Sequence, residues 1–129
     1  EFQLAVALRN RKRFRLAEFF DGATDETPLT LRNVQTRVVI QRGDGSSNEL
    51  DIVAYASDDR VLLVEVKNQQ EKSTPDLVAG FWEKVTLFQA QQRGKTILAA
   101  FLSLASFTEP ALALCHQHGM AWSTELQYF

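Results

Sequence analysis

The chain has 129 residues, of which 45% are hydrophobic and 23% are charged, an ordinary composition for a globular protein. At this length we expect a single domain over residues 1–129 that folds without a disulfide or a structural metal. The net charge of −2 argues against a protein that coats nucleic acid through bulk positive charge.

The cysteine count and the hydropathy indicate in which cellular compartment the protein works. Cys115 is the single cysteine, so an internal disulfide is ruled out and a reducing, cytoplasmic setting is favoured. No apolar run reaches the roughly 18 residues of a transmembrane helix, so we expect no membrane partner. Because the chain begins at Glu1 and not at methionine, it could be a domain cut from a longer protein.

The first half of the sequence predicts a helix followed by three strands. Apolar residues near helical spacing indicate a helix over 2–20, which the basic run within it could break or bend. A stretch rich in turn-forming residues indicates a loop over 21–30. Runs of β-branched and alternating residues, separated by turn clusters, predict the strands. These strands are 34–41, 49–56 and 61–66.

The second half predicts two helix–strand units. Thr74 and Pro75 suit the start of a helix that ends before Gly94, and Ser106 and Glu109 have capping-box spacing for a helix over 107–118. The predicted strands are 96–104 and 120–128. The order α-β-β-β-α-β-α-β predicts a mixed sheet with helices on both faces, an α+β protein in three α/β/α layers.

A basic run lies between Arg9 and Arg15 and holds five of the fourteen basic residues. Such a run is most often a solvated face. It could instead be an edge that contacts phosphates, in which case Arg11, Lys12 and Arg13 are candidate substrate-binding residues.

The most informative segment is 49–67, which has the pattern of a hairpin with its turn at Asp58. In that register paired residue numbers sum to 116, so Asp51 lies opposite Glu65 and Glu49 lies opposite Lys67. Alternation places Leu50, Ile52 and Ala54 on one face of the strand and Glu49, Asp51, Val53 and Tyr55 on the other. A register shifted by one residue would separate Asp51 from Glu65.

Facing carboxylates repel each other, and Glu65 is embedded in the apolar run Val61–Val66. Burying an unpaired carboxylate costs several kcal/mol, on the order of the effective penalty for ions in proteins. A hard divalent cation would remove the conflict, since Mg²⁺ prefers one or two carboxylates together with water and phosphate oxygens. The alternative is a structural ion pair between Glu49 and Lys67.

The same residues carry a family resemblance. The segment 48–54, Asn-Glu-Leu-Asp-Ile-Val-Ala, followed by 64–68, Val-Glu-Val-Lys-Asn, resembles the core motif of the PD-(D/E)xK nuclease superfamily. The order of elements over 33–123 resembles its restriction-endonuclease-like fold, with an αβββαβ core and a further helix and strand. The motif is similar to those of resolvase-like and prokaryotic defence nucleases, although Leu50 stands where many members have proline.

The resemblance implies Mg²⁺ or Mn²⁺ as cofactor, held by Asp51, Glu65 and the main-chain carbonyl of Val66. It implies that Lys67 orients or activates the attacking water and neutralises charge on the scissile phosphate. Glu49 could support the metal, and Gln69 could touch substrate if the strand continues beyond Lys67. Many members also carry a glutamate on the first helix, for which Glu1 and Glu18 are candidates.

Three functions remain open from the sequence. A metal-dependent nuclease acting on DNA, and more readily an endonuclease than an exonuclease, is the leading hypothesis. The same chemistry on RNA is the first alternative, since nothing in the sequence identifies the sugar. A catalytically inactive domain that retains the fold for binding or docking is the second. Because a domain of 129 residues has little surface for reading long sequences, we expect specificity to come from a homodimer or from attached regulatory domains.

Overall fold

The structure is a computed structural model, and it describes residues 2–126. Its centre is a six-stranded mixed sheet in which the strands follow one another in sequence order. The strands are β1 (Arg13–Phe14), β2 (Leu29–Gln41), β3 (Ser47–Ala56), β4 (Arg60–Lys67), β5 (Thr96–Ser103) and β6 (Ala121–Ser123). The helices are α1 (Phe2–Arg11), α2 (Pro75–Gln91) and α3 (Glu109–Gln117), and a 3₁₀ turn spans Leu16–Glu18.

Strand direction follows the connections. Strands β1 to β4 pair antiparallel, with short turns between β2, β3 and β4 and a longer segment, 15–28, between β1 and β2. Strands β4, β5 and β6 pair parallel because a helix returns the chain between them. The predicted mixed sheet is therefore confirmed, and so are the three α/β/α layers.

Two apolar cores cover the two faces of the sheet. Leu4 and Leu8 of α1 pack on one face against Ile52, Leu62 and Val64. The other face carries α2 and α3, whose buried residues pack against the remaining inward side chains of β3, β4 and β5. Strand β4 is buried on both faces, as expected for a central strand that pairs with a parallel neighbour.

The prediction of one helix over 2–20 is wrong in its second half. The helix ends at Arg11, and Lys12 takes a left-handed conformation with φ of 60°. The chain can then turn Phe14 and Leu16 into the core beneath the sheet. The break falls within the basic run, where no apolar stripe holds the chain in a helix.

Two boundaries in the C-terminal half also differ from the prediction. Thr108, and not Ser106, caps α3, because its side-chain oxygen accepts a hydrogen bond from the amide of Ala111 at 3.3 Å. Strand β6 covers three residues, where the sequence predicted a strand over 120–128; residues 127–129 lie outside the described part of the chain.

Within residues 2–126, no helix combines the length and the apolar character needed to cross a bilayer.

Candidate active site

The hairpin formed by β3 and β4 has the register that the sequence predicts. Its four recorded pairs run from Tyr55 opposite Val61 to Ile52 opposite Val64, and each pair sums to 116. The register is fixed by the three-residue turn over 57–59, in which Asp58 accepts hydrogen bonds from the backbone and the guanidinium of Arg60. Continuing it brings Asp51 level with Glu65.

The backbone ladder between the two strands ends at Ile52 and Val64, just before the acidic residues. Beyond this point a side chain replaces the strand partner, because the Oδ2 of Asp51 accepts a hydrogen bond from the amide of Val66 at 2.9 Å. The strands therefore open into a fork, and the carboxylate of Asp51 lies inside it.

The strand pleat is disturbed at the same level, which corrects the predicted alternation. Ile52 and Ala54 lie in the core beneath α1 as predicted, but Leu50 lies in the core beneath α2 with Val53. On the neighbouring strand, the pairs Thr36–Ile52 and Val38–Leu50 flank Arg37, whose φ is 54°. A residue with positive φ interrupts the alternation of a strand, and Leu50 accordingly changes face.

Glu65 is nearly inaccessible to solvent, with 4% of its side chain exposed. The pKa of Glu65 is raised to about 7, first by burial and then by a hydrogen bond and charge repulsion from the neighbouring carboxyl of Asp51. The two acidic side chains thus lie close enough to interact directly. Two carboxylates this close repel each other, and a bound proton relieves the repulsion. A hard divalent cation would relieve it in the same way.

Two lysines oppose this negative charge. The Nζ atom of Lys67 lies 4.0 Å from the Oε2 of Glu65, and the Nζ atom of Lys84 lies 3.5 Å from the same oxygen. Lys84 also donates a hydrogen bond to the main-chain carbonyl of Glu49 at 2.9 Å. Both lysines lower the pKa of Glu65, but less than burial and Asp51 raise it.

Sequence reasoning missed Lys84, although a signal was present. On α2, Lys84 follows the buried Phe81 by three residues and precedes the buried Phe88 by four, so it shares their face. A lysine at core spacing needs a partner inside the fold, and an acidic residue on the adjacent strand would supply it.

The predicted meeting of three carboxylates is not found. Among residues 2–126, no group of three or more histidine, cysteine, aspartate or glutamate side chains is arranged to hold a metal ion. Glu49 is exposed, and its recorded contact with Lys84 uses the main chain. The remaining pair, Asp51 and Glu65, supplies the one or two carboxylates that Mg²⁺ takes alongside water and phosphate oxygens, so the residues present fit such an ion.

The other predicted site residues lie apart from this pair. Strand β4 ends at Lys67, so the continuation that would place Gln69 beside it is absent, and the Gln69 amide donates to the carbonyl of Glu71. Glu18 lies in the 3₁₀ turn, where it pairs with Arg11 and accepts from the amide of Arg15. Glu1 lies outside the described residues.

The basic run lies at the other end of β2 from the fork. Arg13 pairs with Thr30 near the start of β2, whereas the level of Asp51 is at Arg37. Seven strand residues span roughly 20 Å. Lys12 and Arg13 are exposed, and the guanidinium of Arg13 donates to the hydroxyl of Thr30.

The start of α1, in contrast, lies beside the end of β4. Gln3 and Leu4 line a cavity of about 240 Å³ together with Val66 and Asn68. Any polar group that the first helix contributes to the fork would therefore come from the beginning of the helix and not from Glu18.

No protein-family model matches the chain, and the comparison with curated proteins finds no match. Solved structures match in shape. The structure of a protein of unknown function, AF1548, superimposes with a TM-score of 0.61 and 18% identity over 94% of this chain and 55% of that one. Can2 from Sulfobacillus thermosulfidooxidans, in complex with cyclic tetra-adenylate, gives a TM-score of 0.61 and 20% identity over 95% of this chain and 31% of its own.

A repair endonuclease from Pyrococcus abyssi is also similar, with a TM-score of 0.50 and 18% identity over 72% of this chain and 39% of that one. At these identities the likeness establishes the fold, which is restriction-endonuclease-like as the motif resemblance implied. The chain spans between 31% and 55% of the length of these three structures.

Proposed function

We propose that the chain is a divalent-metal-dependent nuclease that hydrolyses phosphodiester bonds, with DNA as its first substrate class. The observation that supports it most is the fork between β3 and β4, where Asp51 and a buried Glu65 meet beside Lys67. Burial and the neighbouring Asp51 raise the pKa of Glu65, so this carboxyl costs the fold stability, and buried carboxyls of this kind are found most often at functional sites.

In this proposal Asp51, Glu65 and the main-chain carbonyl of Val66 hold Mg²⁺ or Mn²⁺. The ion would polarise the phosphoryl oxygen and help to generate the nucleophile. Water adds to phosphorus, the P–O ester bond breaks, and the products are a phosphomonoester and an alcohol.

Lys67 acts on the substrate side of the fork. One third of its side chain is exposed while its ammonium stays within 4.0 Å of Glu65, so it can meet a phosphate that approaches from solvent. There it neutralises the charge that grows on the phosphoryl oxygens and orients the attacking water. Asp51 keeps Val66 and the ligands at the mouth of the fork in place through its hydrogen bond to the Val66 amide.

Internal cleavage is favoured over removal of terminal nucleotides by the similarity to a repair endonuclease. The exposed Lys12 and Arg13 would contact backbone phosphates at some distance from the cleaved bond, because they lie at the far end of β2. Gln69 and Arg11 are weaker candidates, because the Gln69 amide donates to the carbonyl of Glu71 and the positive charge of Arg11 is paired with Glu18. Sequence selectivity would come from a second copy of the chain or from attached domains.

The test is cleavage of end-labelled single-stranded and duplex DNA and RNA with Mg²⁺, with Mn²⁺ and with a chelator. We expect metal-dependent cleavage that Glu65→Ala and Lys67→Ala each abolish, while Lys95→Met retains it. Lys95 is a suitable control because it precedes β5 at the opposite end of the sheet. Circular dichroism checks that each variant is folded. Cleavage that persists in both variants, or in the presence of chelator, would exclude the proposal.

The same panel separates the alternatives. Preference for RNA would keep the chemistry and change the substrate. A wild-type protein that cleaves nothing and binds no Mn²⁺ would be a domain that uses the fold for docking, and the absence of a third carboxylate in the described chain is the observation that favours this reading.

A further inference from the structure

Lys84 reaches the fork from a different element than the other site residues do. Asp51, Glu65 and Lys67 belong to the hairpin, whereas Lys84 comes from α2, which packs across it. Its ammonium lies 3.5 Å from the Oε2 of Glu65 and 2.9 Å from the carbonyl oxygen of Glu49, so it touches both arms of the fork.

The charges at the fork cancel when both of its carboxyl groups are ionised. Asp51 and Glu65 supply two carboxyl groups, and Lys67 and Lys84 supply two ammonium groups, all linked through the same buried carboxylate. Lys84 therefore competes with a divalent cation for the negative charge of the carboxyl pair. Two cations on one carboxylate repel each other strongly wherever water screens poorly.

The side chain of Lys84 retains a route to solvent. About a quarter of it is exposed, compared with 4% of Glu65. Its stem lies on the buried face of the helix between Phe81 and Phe88, which fixes the direction of the ammonium without enclosing it. A turn toward the mouth of the fork would exchange the contacts of the ammonium with Glu65 and the Glu49 carbonyl for a contact on the solvent side.

We propose that Lys84 is a substrate-binding residue that pairs with Glu65 until a divalent cation binds. While the carboxyl pair has no divalent cation, Lys84 neutralises it. When a cation takes over that charge, the ammonium contacts a backbone phosphate of the nucleic acid next to the bond that is cleaved. This inference rests on the proposed nuclease function. It adds Lys84 to the divalent cation and Lys67 as a cationic contact for the substrate at the same site.

The first experiment measures Mn²⁺ affinity by calorimetry for wild type, Lys84→Met, Lys84→Arg and the control Lys95→Met. Methionine keeps the stem and removes the charge. The buffer is about two pH units above the pKa of Glu65, so that proton competition is small in all proteins. We expect Lys84→Met to bind Mn²⁺ roughly five- to tenfold more tightly, because a repelling charge is gone. Lys84→Arg and Lys95→Met should stay close to wild type.

The second experiment measures binding of a short DNA duplex in the presence of Mn²⁺, in a Lys67→Ala background where cleavage is expected to be lost. Adding Lys84→Met should weaken binding and reduce the slope of log affinity against log salt by about 0.9, the value for one phosphate contact with B-DNA. Adding Lys84→Arg should preserve the slope. Lys84→Gln replaces methionine if that variant does not fold.

The two readouts move in opposite directions only for the proposed role. Tighter Mn²⁺ binding together with a smaller salt slope supports it. Lys84→Met that binds Mn²⁺ no more tightly than wild type, or that leaves the slope unchanged, overturns it and reduces Lys84 to a structural ion pair. Failure of the nuclease proposal itself looks different, because wild type would then bind no Mn²⁺ at the fork and cleave none of the substrates.

Discussion

The two halves of the β3–β4 hairpin differ sharply although they belong to the same pair of strands. In the closed half, Ile52–Tyr55 pairs with Val61–Val64 through a regular ladder, and the inward side chains are apolar. In the open half, Glu49–Asp51 and Glu65–Lys67 are joined by side chains, through the Asp51–Val66 hydrogen bond and through Lys84. The closed half stabilises the fold, whereas the open half holds charges that the fold tolerates at a cost.

The largest effect on stability is expected in the closed half. Leu62→Ala removes a fully buried side chain from the centre of β4 and leaves a cavity facing α1. We expect the free energy of unfolding to fall by about 2–5 kcal/mol. Urea denaturation followed by circular dichroism measures it, with Leu104→Ala as a matched control because that leucine is 41% exposed. Equal losses in the two variants would contradict the assignment of this half to the core.

In the open half, a substitution should stabilise the protein. The pKa of Glu65 is raised from 4.5 to about 7 by burial and by Asp51. Between these values the folded protein keeps a proton that the unfolded chain releases, so the folded state loses stability as pH rises through this window. The loss is on the order of 3 kcal/mol, and Glu65→Gln should remove it.

Urea denaturation of wild type and Glu65→Gln across pH 4 to 8, a range of about four units around that pKa, measures this effect. We expect the two curves to converge at the acidic end and to separate at the basic end, with the variant more stable. A stability difference between the two proteins that does not grow with pH through the window would show that Glu65 is not buried against Asp51 as described.

A divalent cation should stabilise the open half of the wild-type protein. At 100 times its dissociation constant, Mn²⁺ should raise the free energy of unfolding by about 2.7 kcal/mol if the ion binds the folded state alone. Thermal unfolding with and without Mn²⁺ measures it. Glu65→Gln and Asp51→Asn should show a much smaller increase, and an increase equal to that of wild type would place the ion elsewhere.

The smallest effect concerns the coupling between the two acidic residues. Asp51→Asn removes the charge that helps to raise the pKa of Glu65, so that pKa should fall while burial still keeps it above 4.5. Carbon-detected NMR of the Glu65 carboxyl during a pH titration follows it directly. An unchanged titration would show that the carboxyl groups do not interact.

The sequence predicted the closed half better than the open half for a physical reason. A regular ladder follows from alternation and a short turn. The sequence could therefore predict which residues of β3 and β4 pair, that β4 is a central strand, and that Asp51 lies near Glu65. The fork departs from those rules. The change of face at Leu50 depends on Arg37 of the neighbouring strand, whose positive φ no local pattern predicts.

Residues that join the site through tertiary packing were harder to find. Lys84 is 33 positions from Asp51 in the chain, and only the packing of α2 across the sheet brings it to Glu65. Gln69 was placed by assuming that β4 continues, but the strand ends where its parallel partner β5 ends, since Lys67 pairs with Ser103. The predicted helix over 2–20 is too long, because the spacing of apolar residues gives no sign of the left-handed conformation of Lys12 that ends the helix.

The hydrogen bond from the Val66 amide to Asp51 gives this aspartate a structural role besides its charge, because its side chain links β3 to β4 where the backbone ladder has ended. Replacing it alters the backbone of β4 directly before Lys67, so an inactive Asp51 variant would mix a chemical defect with a conformational one. The Lys67 side chain, in contrast, approaches the carboxylate of Glu65 at 4.0 Å, and a third of it is exposed. In tests of the proposed nuclease function, a substitution at Lys67 therefore separates a chemical effect from a conformational one better than a substitution at Asp51 does.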